Sequence, residues 1–327
     1  MTKSAELLWL DAIEAEERGE RGLAISLARD VVQIDESNTE AWMAIAQWTI
    51  TDSSEGRRGM PELAQAAKAM SALRRVVSLD PGNARAWRLG GEILAEHLGM
   101  LEHALEWWEE RLDFAPEDIV PLIEQLAILV RLGYFEECEE RLDLLLSSNE
   151  GDDSDRKLER RKIRVKVVVE RASRMEDDGA FAPQDQKDER WDIIRRMKNR
   201  KPISETFFLL TFVAPIVFLL GSAAMFAFGT SSFGSATVFV LILASYFAIS
   251  KLSMGLLNRL NRHAFDLDRA LDVETTVGKV CISDEIRGSK LYNSILSKRS
   301  PAFKERLGQI VDSGERVPAK WELSTPF

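Results

Sequence analysis

Hydrophobic and polar residues are distributed along this chain in two different ways. Before residue 205 and after residue 257, apolar residues recur every three or four positions among charged ones, the period of helices that bury one face. In between, residues 206–250 contain no charged residue and no histidine. About 20 apolar residues suffice for a helix to cross a hydrocarbon core. The run therefore predicts two crossings, residues 205–229 and 236–257, joined by a short polar turn at 230–235 that holds Phe233. Lys251 falls within the second crossing and is expected to snorkel to the interface. The competing reading, two core helices of a soluble protein, is disfavoured because an uncharged pair of this length is rare outside membranes.

The periodic segments flanking that run predict further helices. Leu158, Val165, Val168, Ala172 and Met175 lie at helical spacing, so residues 150–175 are read as a helix capping what precedes it. Residues 176–189, with a Gly and a Pro and little apolar content, read as a flexible linker. A basic juxtamembrane segment with Trp191 as an interfacial anchor then runs to 204. Beyond the apolar run, Leu252, Leu256, Leu260, Ala264, Leu267 and Leu271 continue a helical stripe. Residues 275–283 predict a short strand, Ser300-Pro301 the start of a helix, Gly314 its end, and 315–327 an irregular segment.

Within residues 1–149 the pattern repeats. The segment LDPGNARAW at 79–87 is echoed by IDESNTEAW at 34–42, and small residues (Ala24, Ala28, Ala46, Ala69, Gly90, Gly91, Ala104, Cys138) recur along the repeating stretch. About four such units follow one another, the second lengthened by an insertion at 51–63 that is read as a loop or an extended first helix. This arrangement resembles the tetratricopeptide repeat family, whose unit of roughly 34 residues is a pair of antiparallel helices closed by a turn. The expected fold class is therefore all-α: a tetratricopeptide-like helical repeat solenoid, a two-helix transmembrane hairpin, and a small C-terminal cytoplasmic tail at 258–327 that matches no recognised family.

Charge sharpens this picture. Residues 1–149 carry 14 Lys or Arg against 29 Asp or Glu, a net −15, which argues against nucleic acid as a ligand. Arg195, Arg196, Lys198, Arg200 and Lys201 precede the first crossing, and Lys251, Arg259 and Arg262 mark the end of the second; the turn between has no basic residue. The positive-inside rule then places both termini in the cytoplasm of an integral membrane protein, and the start of the chain lacks the pattern of a secretory signal. Nine basic residues between Arg156 and Arg174, against two acidic ones, form a face for lipid headgroups, for the acidic repeats, or for water. Cys138 and Cys281 are far apart in sequence and lack metal-ligand spacing, as suits a reducing compartment.

No catalytic constellation stands out, and neither a cofactor motif nor a metal motif is present; His97 and His103 lack the one-face spacing of a zinc pair. The expectation is a binding protein and not an enzyme. If the family geometry holds, the concave face presents Trp9, Ile13, Met43, Ile123 and Val130 as apolar anchors among Glu16, Glu40 and Glu92, with Arg85, Arg88 and Arg131 as the basic exceptions. Such a groove suits a protein or peptide bearing basic and apolar residues, captured by a membrane-tethered adaptor or scaffold. The alternative is a non-catalytic subunit that organises a membrane enzyme, transporter or secretion complex. The crossings show only scattered hydroxyls, whereas Ala223 with Ala227 and Ala244 with Ala248 offer close helix contacts, including contacts between copies in an oligomer.

Overall fold

A computed structural model describes residues 4–50, 60–147, 156–175, 179–228 and 234–327. Among them the chain is helical, with one isolated bridge and no strand. It divides into two compact units: the first takes in Met1–Asp188, Arg269–Ser283 and Leu296–Phe327, and the second Glu189–Asp268 and Asp284–Ile295.

The first unit begins with α1 (Ala5–Glu17), α2 (Arg21–Ile34), α3 (Thr39–Ile50), α4 (Leu63–Leu79) and α5 (Ala84–Glu92). The last of these runs on into a π-helical stretch, Ile93–Leu98. Then come α6 (Leu101–Phe114), α7 (Val120–Leu132), α8 (Phe135–Ser147) and α9 (Arg156–Met175). Each of α1 to α8 packs on the next, and α9 lies on α7 and α8. Residues 51–59, most of the expected insertion, lie outside the described residues.

The two echoed segments build the same turn from the same atoms. Asp35 and Asp80 each accept through a side-chain oxygen from the amide two residues on, at Ser37 and Gly82. Asn38 and Asn83 each accept from the amide three residues on, at Ala41 and Ala86, which satisfies an orphan donor at the start of α3 and α5. Trp42 and Trp87 each donate their indole N–H to the carbonyl six residues back, at Glu36 and Pro81. The similarity of the two segments thus has a physical content: Asp makes the turn, Asn caps the helix, and Trp ties the helix to the turn.

Alanines at the contacts, among them Ala12, Ala24, Ala28, Ala46 and Ala69, are fully buried and let the helices approach closely. At Gly90 and Gly91 the approach is closer still, because the Trp107 and Trp108 rings lie where a Cβ would be. Trp107 is held there by its indole N–H, which donates to Trp87 O at 2.7 Å, and by the Trp87 ring 4.6 Å away.

The C-terminal part of the chain is ordered onto these helices. α14 (Arg262–Val277) continues the helical stripe after a break at Asn261, and its last residues, from Arg269 on, belong to the first unit. The strand expected at 275–283 reduces to a single parallel bridge between Val280 and Arg316. Thr275 and Thr276 stay helical, and the Thr275 hydroxyl donates to Leu271 O, so a bond within the helix overrides β propensity. α16 (Pro301–Ser313) starts and ends as expected, with Ser300 Oγ accepting from Phe303 N and Gly314 at φ 68°. It packs on α4 and on the π-helical stretch.

Polar contacts fasten this segment. Asp272, almost wholly buried, takes two bonds from Arg131 (3.1 and 3.0 Å) and an ion pair from Arg299 at 2.8 Å. Arg306 donates to the carbonyls of Leu98 and Thr275, and burial lowers the pKa of its guanidinium. Gly99, at φ 63°, leaves just enough room for Phe303 and Thr275. Leu323 N donates to Tyr134 Oη at 2.8 Å, and the Arg141 guanidinium sits 3.4 Å from the centre of the Phe327 ring.

The linker expected to be flexible is folded over residues 179–188. Phe181 is buried, and the Gln186 amide donates to Cys281 O at 2.7 Å. Residues 176–178 lie outside the described residues.

The second unit opens with α10 (Glu189–Met197). Its Trp191 is 1% exposed and is a core side chain, not the interfacial anchor expected from its place beside a basic segment. α11 (Glu205–Phe208), a π-helical Leu209–Val213 and α12 (Ala214–Phe228) then run on as one helix. The wide π turn directly precedes Pro215, where a ring without an N–H interrupts regular α-helix bonding. α13 (Gly234–Leu260) packs along α12, with Gly221 against Ile242. The turn expected at 230–235 falls mostly outside the described residues. Asn261 joins the two ends of this pair: its side chain accepts from Ile203 N and donates to Ile203 O, both at 2.9 Å. α15 (Lys290–Leu296) contributes Leu291, whose amide donates to Lys198 O.

Both apolar helices, Glu205–Phe228 and Ala236–Leu260, are long and apolar enough to cross a membrane. They are also bare: only 22% and 6% of their most apolar windows is buried, with Phe218, Phe226 and Leu252 among the most exposed side chains. Ala223, Ala227, Ala244 and Ala248 are exposed as well, so the contact between α12 and α13 is made by other residues.

Candidate functional site

Helices α1, α3, α5 and α7 line a cleft on the first unit. Its larger part, about 850 Å³, is walled by Glu16 from α1, by Gln47, Trp48 and Ile50 from α3, by Met60, by Arg85, Arg88, Leu89 and Glu92 from α5, and by His97. A smaller hollow of about 280 Å³ shares Arg88 and Glu92 and runs along α7 past Glu124, Ala127, Ile128 and Arg131.

The cleft joins an aromatic wall to charges of both signs. Trp48 stacks on Trp9 with ring centroids 6.0 Å apart. Arg21 approaches Glu16 at 3.7 Å, and Arg131 is engaged by Glu96 and Asp272. Arg85, Arg88 and Glu92 are exposed and make no ion pair among the described residues. Burial lowers the pKa of His97, against the opposing pull of Glu92 and Glu96. Its Nδ1 is buried without a hydrogen-bond partner among the described residues.

The residues expected in the groove divide into three groups. Glu16 and Glu92 line the cleft, together with the basic exceptions Arg85, Arg88 and Arg131. Trp9, Ile13 and Val130 are half-buried beside it, and Glu40 is exposed outside it. Met43 and Ile123 are 8% and 3% exposed; they pack among the helices and present no surface to a partner. Periodicity assigned the helix faces, but it did not reveal which neighbouring helix covers each face. Gln47, Trp48 and Leu89 line the cleft and were missed; Gln47 stands three positions before Ile50 on α3, the helical spacing that could have found it, whereas Trp48, two positions before Ile50, shares no stripe with it.

Other chemistry is sparse. Among the described residues no group of three or more His, Cys, Asp or Glu is placed to hold a metal ion. Cys138 is fully buried, and burial together with Glu137 and Glu139 pushes its thiol up to about 12, which makes it unreactive. No family model matches the chain, and no curated protein matches it.

Proposed function

We propose that this protein is a membrane-tethered adaptor: tetratricopeptide-type repeats capture a protein or peptide in the cleft, and a transmembrane hairpin holds them at the cytoplasmic face. The repeat reading is supported by the shared Asp, Asn and Trp chemistry of the two echoed turns and by the order in which helices α1 to α8 pack. The hairpin reading is supported by two long apolar helices whose side chains are left largely uncovered, as lipid requires and water penalises.

One observation carries the topology. The chain before the apolar helices and the chain after them fold into a single compact unit. A bilayer cannot pass through such a unit, so both ends of the hairpin open to the same side, and the basic flanks make that side the cytoplasm.

The partner is a segment with apolar side chains for Trp48 and Leu89 and with basic groups for Glu16 and Glu92. Arg85 and Arg88 add a demand for acceptors, which backbone carbonyls or a carboxylate of the same segment meet. The exposed alanines of α12 and α13 favour a second reading, in which the hairpin also packs against other membrane helices as part of a larger complex.

Photo-crosslinkers placed at Trp48 and at Leu144, an exposed residue of α8, test the capture surface in intact membranes. Crosslinks to one protein from Trp48 alone, weakened by Glu16→Lys with Glu92→Lys but not by Glu139→Lys with Asp143→Lys, are the expected result. Equal yields from both positions, or equal loss with both charge reversals, would refute capture by the cleft.

A further inference from the structure

We propose that α9 is a membrane-surface helix whose outward face rests on anionic lipid headgroups; this rests on the reading of α12 and α13 as membrane spans. α9 uses one side to pack on α7 and α8, burying Val169 and Lys162. Among the described residues the opposite side is uncovered. On it Ile163 is 60% exposed, Val167 45% and Val168 54%. Arg160, Arg164 and Arg171 stand three or four residues from these apolar side chains, so cation and methyl groups alternate across one surface. Lys166 borders it.

Three basic residues of the helix are already paired, Arg161 with Glu124, Lys162 with Glu159 and Arg174 with Glu170. The exposed Arg160, Arg164, Lys166 and Arg171 make no ion pair among the described residues. An exposed apolar strip flanked by unpaired cations is the pattern of a helix lying in a bilayer interface, where side chains such as Ile163 and Val167 enter the headgroup boundary and the cations meet lipid phosphates.

Two facts select a bilayer over an acidic protein. Residues 176–188 alone separate α9 from α10, which leads into the first apolar helix, so a bilayer is always within the chain's reach. Residues 1–149 are acidic and would be repelled by anionic lipid, so the basic face of α9 is the surface of this unit that anionic lipid attracts.

The full chain reconstituted into vesicles tests this. An environment-sensitive fluorophore is attached at Val167→Cys and, in a second sample, at Phe226→Cys on the exposed side of α12; the native thiols are buried. Vesicles are of phosphatidylcholine alone or of phosphatidylcholine with phosphatidylglycerol, each with a lipid-borne quencher. We expect quenching at Val167 only with phosphatidylglycerol, lost in high salt, and quenching at Phe226 in both compositions. Replacing Arg160, Arg164, Lys166 and Arg171 together by Gln should abolish the Val167 signal. At about fivefold per cation, the four account for a weakening on the order of 10²-fold or more. All four are exposed, so an unchanged circular dichroism spectrum is expected and separates lost contact from lost folding.

No quenching at Val167 while Phe226 is quenched would overturn this inference and leave the spans intact. Shielding of Val167 that depends on protein concentration and not on lipid charge would assign the face to a second copy and overturn it too. Absence of quenching at Phe226 would remove the membrane reading, and this inference with it.

Discussion

Gly90→Ala sets two opposed effects of known size against each other. Gly90 lies within α5, where alanine is favoured over glycine by roughly 0.5–1 kcal/mol because it loses less backbone entropy on folding. The added Cβ, however, would lie 2.6 Å from Trp107 Cε2, with Cζ2 closer still. The ring cannot retreat: it is fully buried, its N–H is bonded to Trp87 O at 2.7 Å, and the Arg74 guanidinium lies 4.6 Å from its centre. Overpacking of this kind costs about 1–3 kcal/mol or more. The steric effect therefore wins, and the net loss is roughly 1–2 kcal/mol. At about 2–4 °C per kcal/mol for a unit of this size, the midpoint of thermal unfolding should fall by roughly 2–8 °C. Gly308→Ala is the control, because it lies within α16 with nothing inside 4 Å of its Cβ, and it should raise the midpoint. Both are read by far-UV circular dichroism of the full chain in mild detergent. If Gly90→Ala is as stable as Gly308→Ala, the close packing of α5 on α6 is refuted.

Other consequences follow from the docked C-terminal segment and from His97. Asp272→Ala removes a nearly buried carboxylate shared by Arg299 and Arg131, of which Arg131 is partly exposed and keeps Glu96; a loss of about 3 kcal/mol is expected in urea unfolding, and a change below about 1 kcal/mol would show the cluster to be ornamental. Residues 1–175 expressed alone lose α16 and Asp272 and should be markedly less stable than the first unit with its C-terminal segment restored; equal midpoints would contradict the docking. The pKa of folded His97 lies below its unfolded value of 6.5, so its neutral form favours folding above that pH, and the contribution is lost as pH falls through 6.5 toward the folded value. His97→Gln should therefore flatten the fall in stability between about pH 7 and 5, and an unchanged slope would mean that His97 protonates freely.

Much of the helical architecture was legible because its causes are local. The echoed Asp, Asn and Trp of residues 34–42 and 79–87 act within six residues of one another, and Ser300 and Gly314 bound α16 by bonds within a turn. The docking of the C-terminal segment was not legible. Arg131 and Asp272 are 141 positions apart, and no periodicity links two single charges at that distance. Trp191 was misread for a related reason: a tryptophan beside basic residues fits an interface equally well as a core, and only its neighbours in space decide. In the cleft, Glu16 and Glu92 stand on the wall, whereas Met43 and Ile123 turn toward covering helices that spacing does not specify.

The central claim is a single body, built from chain on both sides of an apolar hairpin and held at the cytoplasmic face. Single cysteines at Glu17, at Ser232 and at Lys304, introduced one at a time, sample the chain before, between and after the apolar helices. The native Cys138 and Cys281 are buried and should give no background with a membrane-impermeant thiol reagent. In sealed cells the account predicts labelling of Ser232→Cys alone, with Glu17→Cys and Lys304→Cys reacting only after lysis. Labelling of one of those two sites but not the other in sealed cells would place the two halves of the body on opposite faces and contradict it.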